Sequence, residues 1–153
     1  MTLEALKKRL IQDQAKGNKI VFTNGCFDLL HKGHVDYLSK AADLGDKLIV
    51  AVNTDDSVRR LGKSVSRPIQ DQEARATVIA ALESVAYVIL FNEDTPFELI
   101  QALQPDVLVK GSDYAINQIV GADIVLAKGG RVETIDFIPG YSTSAIEKKI
   151  LNA

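Results

Sequence analysis

Apolar residues follow two patterns along this chain. Some form short runs that are apolar throughout, which is typical of strands buried on both faces of a parallel sheet. Others recur every three or four positions, which is typical of helices with one buried face. The runs predict strands at residues 19–23, 47–52, 87–90, 107–109 and 131–137. The spaced pattern predicts helices at residues 2–17, 31–44, 72–82, 95–103, 122–128 and 144–151, with a short helical turn at 55–60.

Residues that favour helix ends support these boundaries. Asp71 directly precedes a predicted helix and is expected to be its N-cap. Thr95, Pro96 and Glu98 combine an N-cap, a proline at the first helical position and a capping-box acid. The loop at residues 62–68 is expected to lie between the helical turn at 55–60 and the helix at 72–82.

The alternation of buried strands with helices predicts the fold class. Parallel strands need helical crossovers, and these cover both faces of the sheet. We therefore expect residues 1–153 to form a single doubly wound α/β domain with a five-stranded parallel sheet and a Rossmann-like arrangement. Ligands of such folds bind beyond the carboxyl ends of the strands, where strand order reverses. The segments to inspect are residues 24–34, 53–67, 110–114 and 139–144.

Composition excludes several classes of function. The formal net charge of −2 and the pI of about 5.7 argue against a nucleic-acid binder or a protein of anionic membranes, because both usually carry basic patches. Cys26 is the single cysteine, so an intrachain disulfide and zinc sites built from several cysteines are excluded. No apolar run reaches 18 residues and the first 16 residues are charged, so we expect a cytoplasmic protein.

Both histidines of the chain lie in TNGCFDLLHKGH, residues 23–34, directly after the first predicted strand. A helix that begins near His31 places His31 and His34 on one face of its first turn. Gly33 leaves room for a phosphate to approach the backbone, and the helix N-terminus adds free N–H groups. The segment predicts a polyphosphate site. The alternative is one capping and one exposed histidine; zinc is disfavoured because no third soft ligand lies nearby.

A second polar cluster, PGYSTSAIE at residues 139–147, follows the last predicted strand. Ser144 and Glu147 have capping-box spacing, so the cluster is in one interpretation only a helix cap. Three consecutive hydroxyl groups, on Ser142, Thr143 and Ser144, exceed what a cap needs. Because they lie at a helix N-terminus on the ligand side, they are candidates to donate hydrogen bonds to the phosphates of a nucleotide.

Polar residues also follow the second and fourth predicted strands. In KGSDY, residues 110–114, Gly111 permits a tight turn and Asp113 is a candidate to bind sugar hydroxyls, the alternative being a turn with a solvated acid. Asn53 and Asp55 follow the second strand, where a helix cap is the alternative to a substrate contact.

Three cations are candidates to contact phosphate groups. Lys63 and Arg67 lie in the basic loop at residues 62–68, where solvation is the alternative. Arg75 lies in a predicted helix and is expected either to form a salt bridge or to bind phosphate.

The histidine segment resembles the signature of the cytidylyltransferase-like nucleotidyltransferases, and residues 142–144 resemble the motif that holds the triphosphate in that family. The resemblance runs from about residue 19 to 150. It implies transfer of a nucleoside monophosphate with release of pyrophosphate, with His31, His34 and Lys63 as catalytic residues. The candidate nucleotide-binding residues are Cys26, Phe27, Asp28, His31, Gly33, His34, Arg75, Lys110, Gly111, Asp113, Tyr141, Ser142, Thr143 and Ser144. The candidate residues for the second substrate are Asn53, Asp55, Lys63 and Arg67.

Within that family the chain is most similar to sugar-phosphate adenylyltransferases. The closer resemblance lies in TNGCFD (23–28), RP (67–68), FNEDTP (91–96), VKGSDY (109–114) and YST (141–143). It implies ATP and D-glycero-β-D-manno-heptose 1-phosphate as substrates, ADP-heptose for the lipopolysaccharide core as product, and Mg²⁺ accompanying ATP, with Asp28 the candidate to orient the metal. It also implies a homodimer and a separate sugar kinase upstream.

Two alternatives share these motifs. One is a CTP-dependent cytidylyltransferase of glycerol 3-phosphate or a similar alcohol phosphate, because the spacing of the motifs does not select the base. The other is a nucleotide-binding module without catalytic activity. The intact histidine pair and hydroxyl cluster argue against that second alternative.

Overall fold

A computed structural model describes residues 1–62 and 64–153 of the chain. Its strands are β1 (Ile20–Gly25), β2 (Lys47–Asn53), β3 (Tyr87–Phe91), β4 (Val107–Gly111) and β5 (Arg131–Ile135). Its helices are α1 (Leu3–Ala15), α2 (Lys32–Ala42), α3 (Asp55–Leu61), α4 (Gln72–Ala80), α5 (Phe97–Leu103), α6 (Ala122–Ala127) and α7 (Thr143–Leu151), with a 3₁₀ turn at Ile116–Gln118. No helix among these residues is long and apolar enough to cross a membrane.

The five strands form one parallel sheet in the order β3-β2-β1-β4-β5. The chain builds outward from β1 to β3, then crosses back and adds β4 on the other side of β1. Strand order therefore reverses between β1 and β4, where Phe22 lies in register with Leu108. This reversal opens a crevice beyond the carboxyl ends of the two strands. The predicted five-stranded, doubly wound α/β fold is confirmed.

Side chains of the strands are buried on both faces of the sheet. Phe22 belongs to the cluster under α1, α5 and α6, together with Leu6 and Ile100. Its neighbour Val21 points to the opposite face and belongs to the cluster under α2 and α4, together with Leu38. All five of these side chains are fully buried. This two-sided burial is the physical reason that the strands lack polar alternation.

Two predicted helix caps are wrong. Helix α5 begins after Pro96, and no side chain caps it, so neither Thr95 nor a capping box is used. At α7 the cap is Ser142, whose hydroxyl accepts a hydrogen bond from the Ala145 N–H at 3.0 Å. Ser144 is inside the helix, and its hydroxyl accepts a hydrogen bond from Arg67. The spacing of polar residues alone did not distinguish these positions.

Candidate active site

A cleft opens at the carboxyl ends of β1 and β4 and has two adjoining compartments. The first has a volume of about 280 Å³ and the second about 240 Å³. Asn24, Gly25 and Cys26 at the end of β1, with Lys110 and Tyr114 at and beyond the end of β4, line both compartments. The cleft therefore lies where the reversal of strand order predicted a ligand site.

The two histidines cap the N-terminus of α2 reciprocally. The Gly33 N–H donates to Nδ1 of His31 at 3.0 Å, and the His31 N–H donates to Nδ1 of His34 at 3.3 Å. The rings stack with their centroids 3.8 Å apart. Because Nδ1 accepts a hydrogen bond in both rings, the proton of each neutral imidazole resides on Nε2. Both rings therefore present an Nε2–H donor on the side away from the helix backbone.

Burial keeps these imidazoles uncharged near neutral pH. Desolvation, reinforced by the neighbouring His31, lowers the pKa of His34 to about 4. Desolvation also lowers the pKa of His31. The pair is consequently a set of neutral hydrogen-bond donors in the free protein. An anion beside the rings would favour their protonated forms.

Phe27 shapes the turn between β1 and α2. Its backbone is in the left-handed region, with φ of 51°, and its ring meets His34 edge-on at 5.3 Å. A Cβ atom on Gly25 would lie 2.9 Å from Cε2 of that ring, so the turn needs a glycine there. Phe27, Cys26 and His34 all line the first compartment.

Asp28 holds the loop that follows α3 through hydrogen bonds. Its buried carboxylate accepts hydrogen bonds from the N–H groups of Ile69 and Gln70 at 2.8–3.0 Å. Asp28 therefore has a structural role in the loop, and its role in orienting Mg²⁺ stays a prediction. Among the described residues there is no group of three or more histidine, cysteine or acidic side chains that could hold a metal ion.

Arg75 was expected either to form a salt bridge or to bind phosphate, and the structure shows a salt bridge in the interior of the domain. It pairs with Asp55 at 2.8 Å, and its side chain is fully buried. Its guanidinium also donates to the carbonyl oxygens of Cys26, Asn53 and Gln70 at 2.7–3.0 Å. These bonds join the segments that follow β1 and β2 to the start of α4. Arg75 thus supports Cys26 and Asn53, which line the cleft, whereas neither Arg75 nor Asp55 is among the described lining residues.

The N-terminus of α7 meets the first compartment beside the loop at residues 64–70. Thr143 lines that compartment, and its hydroxyl donates to the Leu29 carbonyl at 3.4 Å. Arg67 also lines it and donates to the Ser144 hydroxyl at 3.1 Å and to Glu147 at 2.9 Å. Ser66 donates to the other oxygen of Glu147 at 3.2 Å. The loop is therefore tied to α7 through Glu147.

Residues at the end of β4 and after it complete the first compartment. The Lys110 ammonium lies 5.2 Å from the centroid of the Tyr114 ring, a cation–π distance. Asp113 lines the compartment together with Phe137. A Cβ atom on Gly111 would lie 2.3 Å from the Phe137 ring and 2.7 Å from Oδ1 of Asp113. A glycine is thus required for the close approach of these side chains.

The structure separates the predicted site residues into lining and supporting groups. Those that line the first compartment are Cys26, Phe27, Asp28, His34, Arg67, Lys110, Gly111, Asp113 and Thr143. Asn53 lines the second. Seven others are not among the lining residues that the structure describes: His31, Gly33, Asp55, Arg75, Tyr141, Ser142 and Ser144. Lys63 lies outside the described residues.

Sequence reasoning missed several lining residues. Asn24 lines both compartments, and Thr95, Asp94 and Gln118 line the second. Asn24 carried a usable signal, because it is a polar residue at the end of a strand that is otherwise buried. Gln118 carried none, since it lies in a 3₁₀ turn that the apolar pattern did not predict.

Known proteins match this chain over almost its whole length. Residues 22–148 match the family model described as Cytidylyltransferase-like. The chain is 54% identical over 151 residues to Bifunctional protein HldE of Citrifermentans bemidjiense, covering 99% of this chain and 31% of that protein. It is 56% identical over 136 residues to the protein of the same name from Azorhizobium caulinodans, covering 89% and 28%. The chain thus spans about three tenths of the length of these relatives.

Two solved structures share the fold. The lipopolysaccharide core biosynthesis protein from Thermoplasma volcanium has a TM-score of 0.64 and 30% sequence identity, covering 80% of this chain and 98% of that one. Pantothenate synthetase from Thermus thermophilus has a TM-score of 0.62 at 14% identity, covering 96% of this chain and 68% of that one. At that lower identity the likeness concerns the fold alone.

Proposed function

Since this chain belongs to the cytidylyltransferase-like family and is a nucleotidyltransferase, we propose that it transfers AMP from ATP to D-glycero-β-D-manno-heptose 1-phosphate. The products are ADP-heptose, a precursor for the lipopolysaccharide core, and pyrophosphate. The observation that carries this proposal is the stacked histidine pair, whose Nε2–H donors belong to the N-terminus of α2 beside the first compartment.

The first compartment suits a triphosphate. His34, Arg67 and Lys110 supply hydrogen-bond donors from three separate elements around one space. The N-termini of α2 and α7 add backbone N–H groups with a positive dipole end. Such donors, placed in a partly desolvated site, stabilise charge that develops on phosphate oxygens. This convergence favours catalysis over a module that only binds a nucleotide.

The reaction needs no covalent enzyme intermediate. A phosphate oxygen of the sugar phosphate attacks the α-phosphorus of ATP, the bond from the α-phosphorus to the bridging oxygen breaks, and pyrophosphate leaves with that electron pair. The attacking phosphate is already ionised at neutral pH, so no general base is required. Catalysis then depends on placing the two substrates in line and on stabilising the equatorial and leaving oxygens.

Individual roles follow from the position of each residue. His31 and His34 stabilise charge on the triphosphate, and Arg67 with the α7 N-terminus holds the leaving pyrophosphate. Asp113, in the first compartment, binds hydroxyl groups of the nucleotide. Lys63 is assigned to offset charge between the substrates on the resemblance alone. When bound, Mg²⁺ would accompany ATP as its counter-ion and add positive charge beside the phosphates.

The choice of heptose phosphate is supported by relatives. The chain is more than half identical to proteins named HldE, and its fold resembles a protein named for lipopolysaccharide core biosynthesis. The segments FNEDTP and KGSDY border the second compartment, through Thr95 and Lys110, and both belong to the resemblance to sugar-phosphate adenylyltransferases.

The test is pyrophosphate release with magnesium, crossing ATP and CTP against heptose 1-phosphate and glycerol 3-phosphate. We expect release with ATP and the heptose phosphate only. Release with CTP and the alcohol phosphate would replace the pathway and keep the mechanism. Nucleotide binding without release from any pair would contradict the catalytic proposal for these substrates.

A further inference from the structure

The two compartments differ in the hydrogen-bond donors of their walls. The first is lined by the cations Arg67 and Lys110 and by the neutral donor His34, together with the carboxylates of Asp28 and Asp113. Among the described residues that line the second, Lys110 is the one cation, and Asp94 contributes a carboxylate. The N-terminal turns of α2 and α7 contribute His34 and Thr143 to the first compartment, so the donors that a triphosphate needs converge there. The second is suited to a molecule that carries one anionic group near Lys110.

The remaining wall of the second compartment combines apolar and uncharged polar groups. Leu61, Pro96 and Ile119 supply apolar surface, while Thr95 and Gln118 supply a hydroxyl and an amide. Carbohydrates present both apolar C–H surface and hydroxyl groups, so this mixture fits a polyhydroxylated acceptor.

Asn24 stands at the boundary between the compartments. It lies near the end of β1, in register with Ala51 of β2, so its position is set by the centre of the sheet. Its Oδ1 is buried and has no hydrogen-bond partner among the described residues. A buried acceptor without a partner is costly, and such groups in binding sites are commonly satisfied by a ligand.

The chemistry of that acceptor restricts its ligand. Ionised phosphate oxygens carry no proton to donate, whereas each sugar hydroxyl does. We infer that Asn24 is a specificity-determining residue whose Oδ1 accepts a hydrogen bond from a hydroxyl group of the sugar phosphate in the second compartment. This inference rests on the proposed function, because it takes a sugar phosphate as the acceptor.

The test compares Asn24→Ala with the wild-type enzyme in steady-state synthesis of the sugar nucleotide. Loss of one buried hydrogen bond to substrate is expected to raise KM for heptose 1-phosphate about tenfold, with KM for ATP changed by less than about twofold. Thr95→Val, in the same compartment, is expected to move the same parameter by a smaller factor. Asn152→Ala, at an exposed position beyond the cleft, is the matched control and is expected to match the wild type.

A second arm identifies the source of the hydroxyl. Isothermal titration of heptose 1-phosphate in the presence of the α,β-methylene analogue of ATP measures acceptor binding without turnover, and Asn24→Ala is expected to weaken it to the same extent. If the variant instead loses the preference for ATP over 2′-deoxy-ATP, the hydroxyl belongs to the nucleotide and the inference is wrong. Unchanged KM values for both substrates in a folded variant would also overturn it.

Failure of the proposed function has a different signature. In that case the wild-type enzyme forms no sugar nucleotide from ATP and heptose 1-phosphate, and the phosphate does not bind in the titration. A wild-type enzyme that turns over while Asn24→Ala behaves identically refutes only the role of Asn24. Thermal unfolding of each variant establishes that the comparison is made between folded proteins.

Discussion

The N-termini of α2 and α7 meet the same cleft but are capped by different kinds of side chain. At α2 the caps are imidazoles, and each accepts the capping bond at Nδ1 while its second nitrogen stays a donor. At α7 the cap is the Ser142 hydroxyl, where one oxygen must both accept and donate. A ring with two nitrogens can therefore stabilise the helix and serve the site at once.

The side chains that hold these two helix ends in place also differ in how deeply they are buried. The turn before α2 is held from the interior by Asp28 and Arg75, which are 4% and 1% exposed. The start of α7 is held by the pair between Arg67 and Glu147, whose side chains are 12% and 20% exposed. The α2 end is thus fixed by the core of the domain, whereas the α7 end is held by less buried contacts, among them the bonds from Arg67 to Ser144 and from Ser66 to Glu147. Changes at the α2 end should therefore affect catalysis more.

The largest expected effect is that of His34→Ala. It removes one Nε2–H donor from the α2 end, and removal of one stabilising donor lowers kcat by roughly 10²–10³-fold in comparable sites. Single-turnover formation of sugar nucleotide measures the chemical step directly. A folded variant with kcat within about threefold of the wild type would show that α2 contributes no transition-state stabilisation through this ring.

Gly33→Ala tests whether the stacked geometry itself matters. The added Cβ would lie 2.8 Å from Cε1 of His31 and 3.3 Å from Cβ of Tyr141, so the His31 ring must move. Misplacement of a catalytic group by a fraction of an ångström to one ångström is expected to lower kcat roughly tenfold. Unchanged kinetics would mean that His31 serves only as the cap.

A smaller effect is expected at α7 from Glu147→Gln, which keeps the shape of the side chain and removes its charge. Arg67 then loses its ionic partner, and we expect KM for ATP to rise about threefold to fivefold with kcat nearly constant. The control is Asp56→Asn, which removes the charge from a surface pair in which the Arg59 side chain is 61% and the Asp56 side chain 74% exposed. A fall in kcat without a change in KM would place Glu147 in the chemical step.

The smallest effect is a pH dependence of stability. The pKa of His34 is about 4 in the folded protein against an ordinary value of 6.5, so the unfolded chain binds this proton more strongly. The folded state therefore loses stability as the pH falls from about 6.5 to about 4. Denaturant unfolding of His34→Gln should show a weaker loss over that window than the wild type. Parallel curves would mean that the imidazole is not desolvated.

The fold followed from the sequence because its signals are local. Runs such as the one from Lys47 to Val52 predicted strands that the structure extends by one residue to Asn53. Strand β5 is shorter than predicted and ends at Ile135. The Phe137 ring, two residues beyond that end, stacks on Tyr37 with the centroids 5.5 Å apart. The spacing of polar residues did not predict the N-caps of α5 and α7, because more than one serine or threonine lies near each helix start.

The predicted site residues also divide into those whose position could be read from local sequence and those whose contacts depend on distant parts of the chain. His34, Lys110 and Asp113 were proposed from their positions near strand ends, and they line one compartment. Asp28 was proposed to orient a metal, and the structure shows a contact that was not predicted, with two backbone N–H groups from a loop 41 and 42 residues further along the chain. Such a partner cannot be read from spacing, because it depends on how the loop folds back. The functional roles of these residues remain predictions.

The class of the fold, the order of its elements and the two polar helix starts on the ligand side could all be predicted from the sequence. Hydrophobic periodicity and capping chemistry act over a few residues, so they can be read along the chain. The folded structure was needed to show that Arg75 forms an interior ion pair, that Glu147 pairs with Arg67 and that Oδ1 of Asn24 has no partner among the described residues. Those outcomes depend on which side chains meet across the sheet, where burial and distance decide between binding a ligand and supporting the fold.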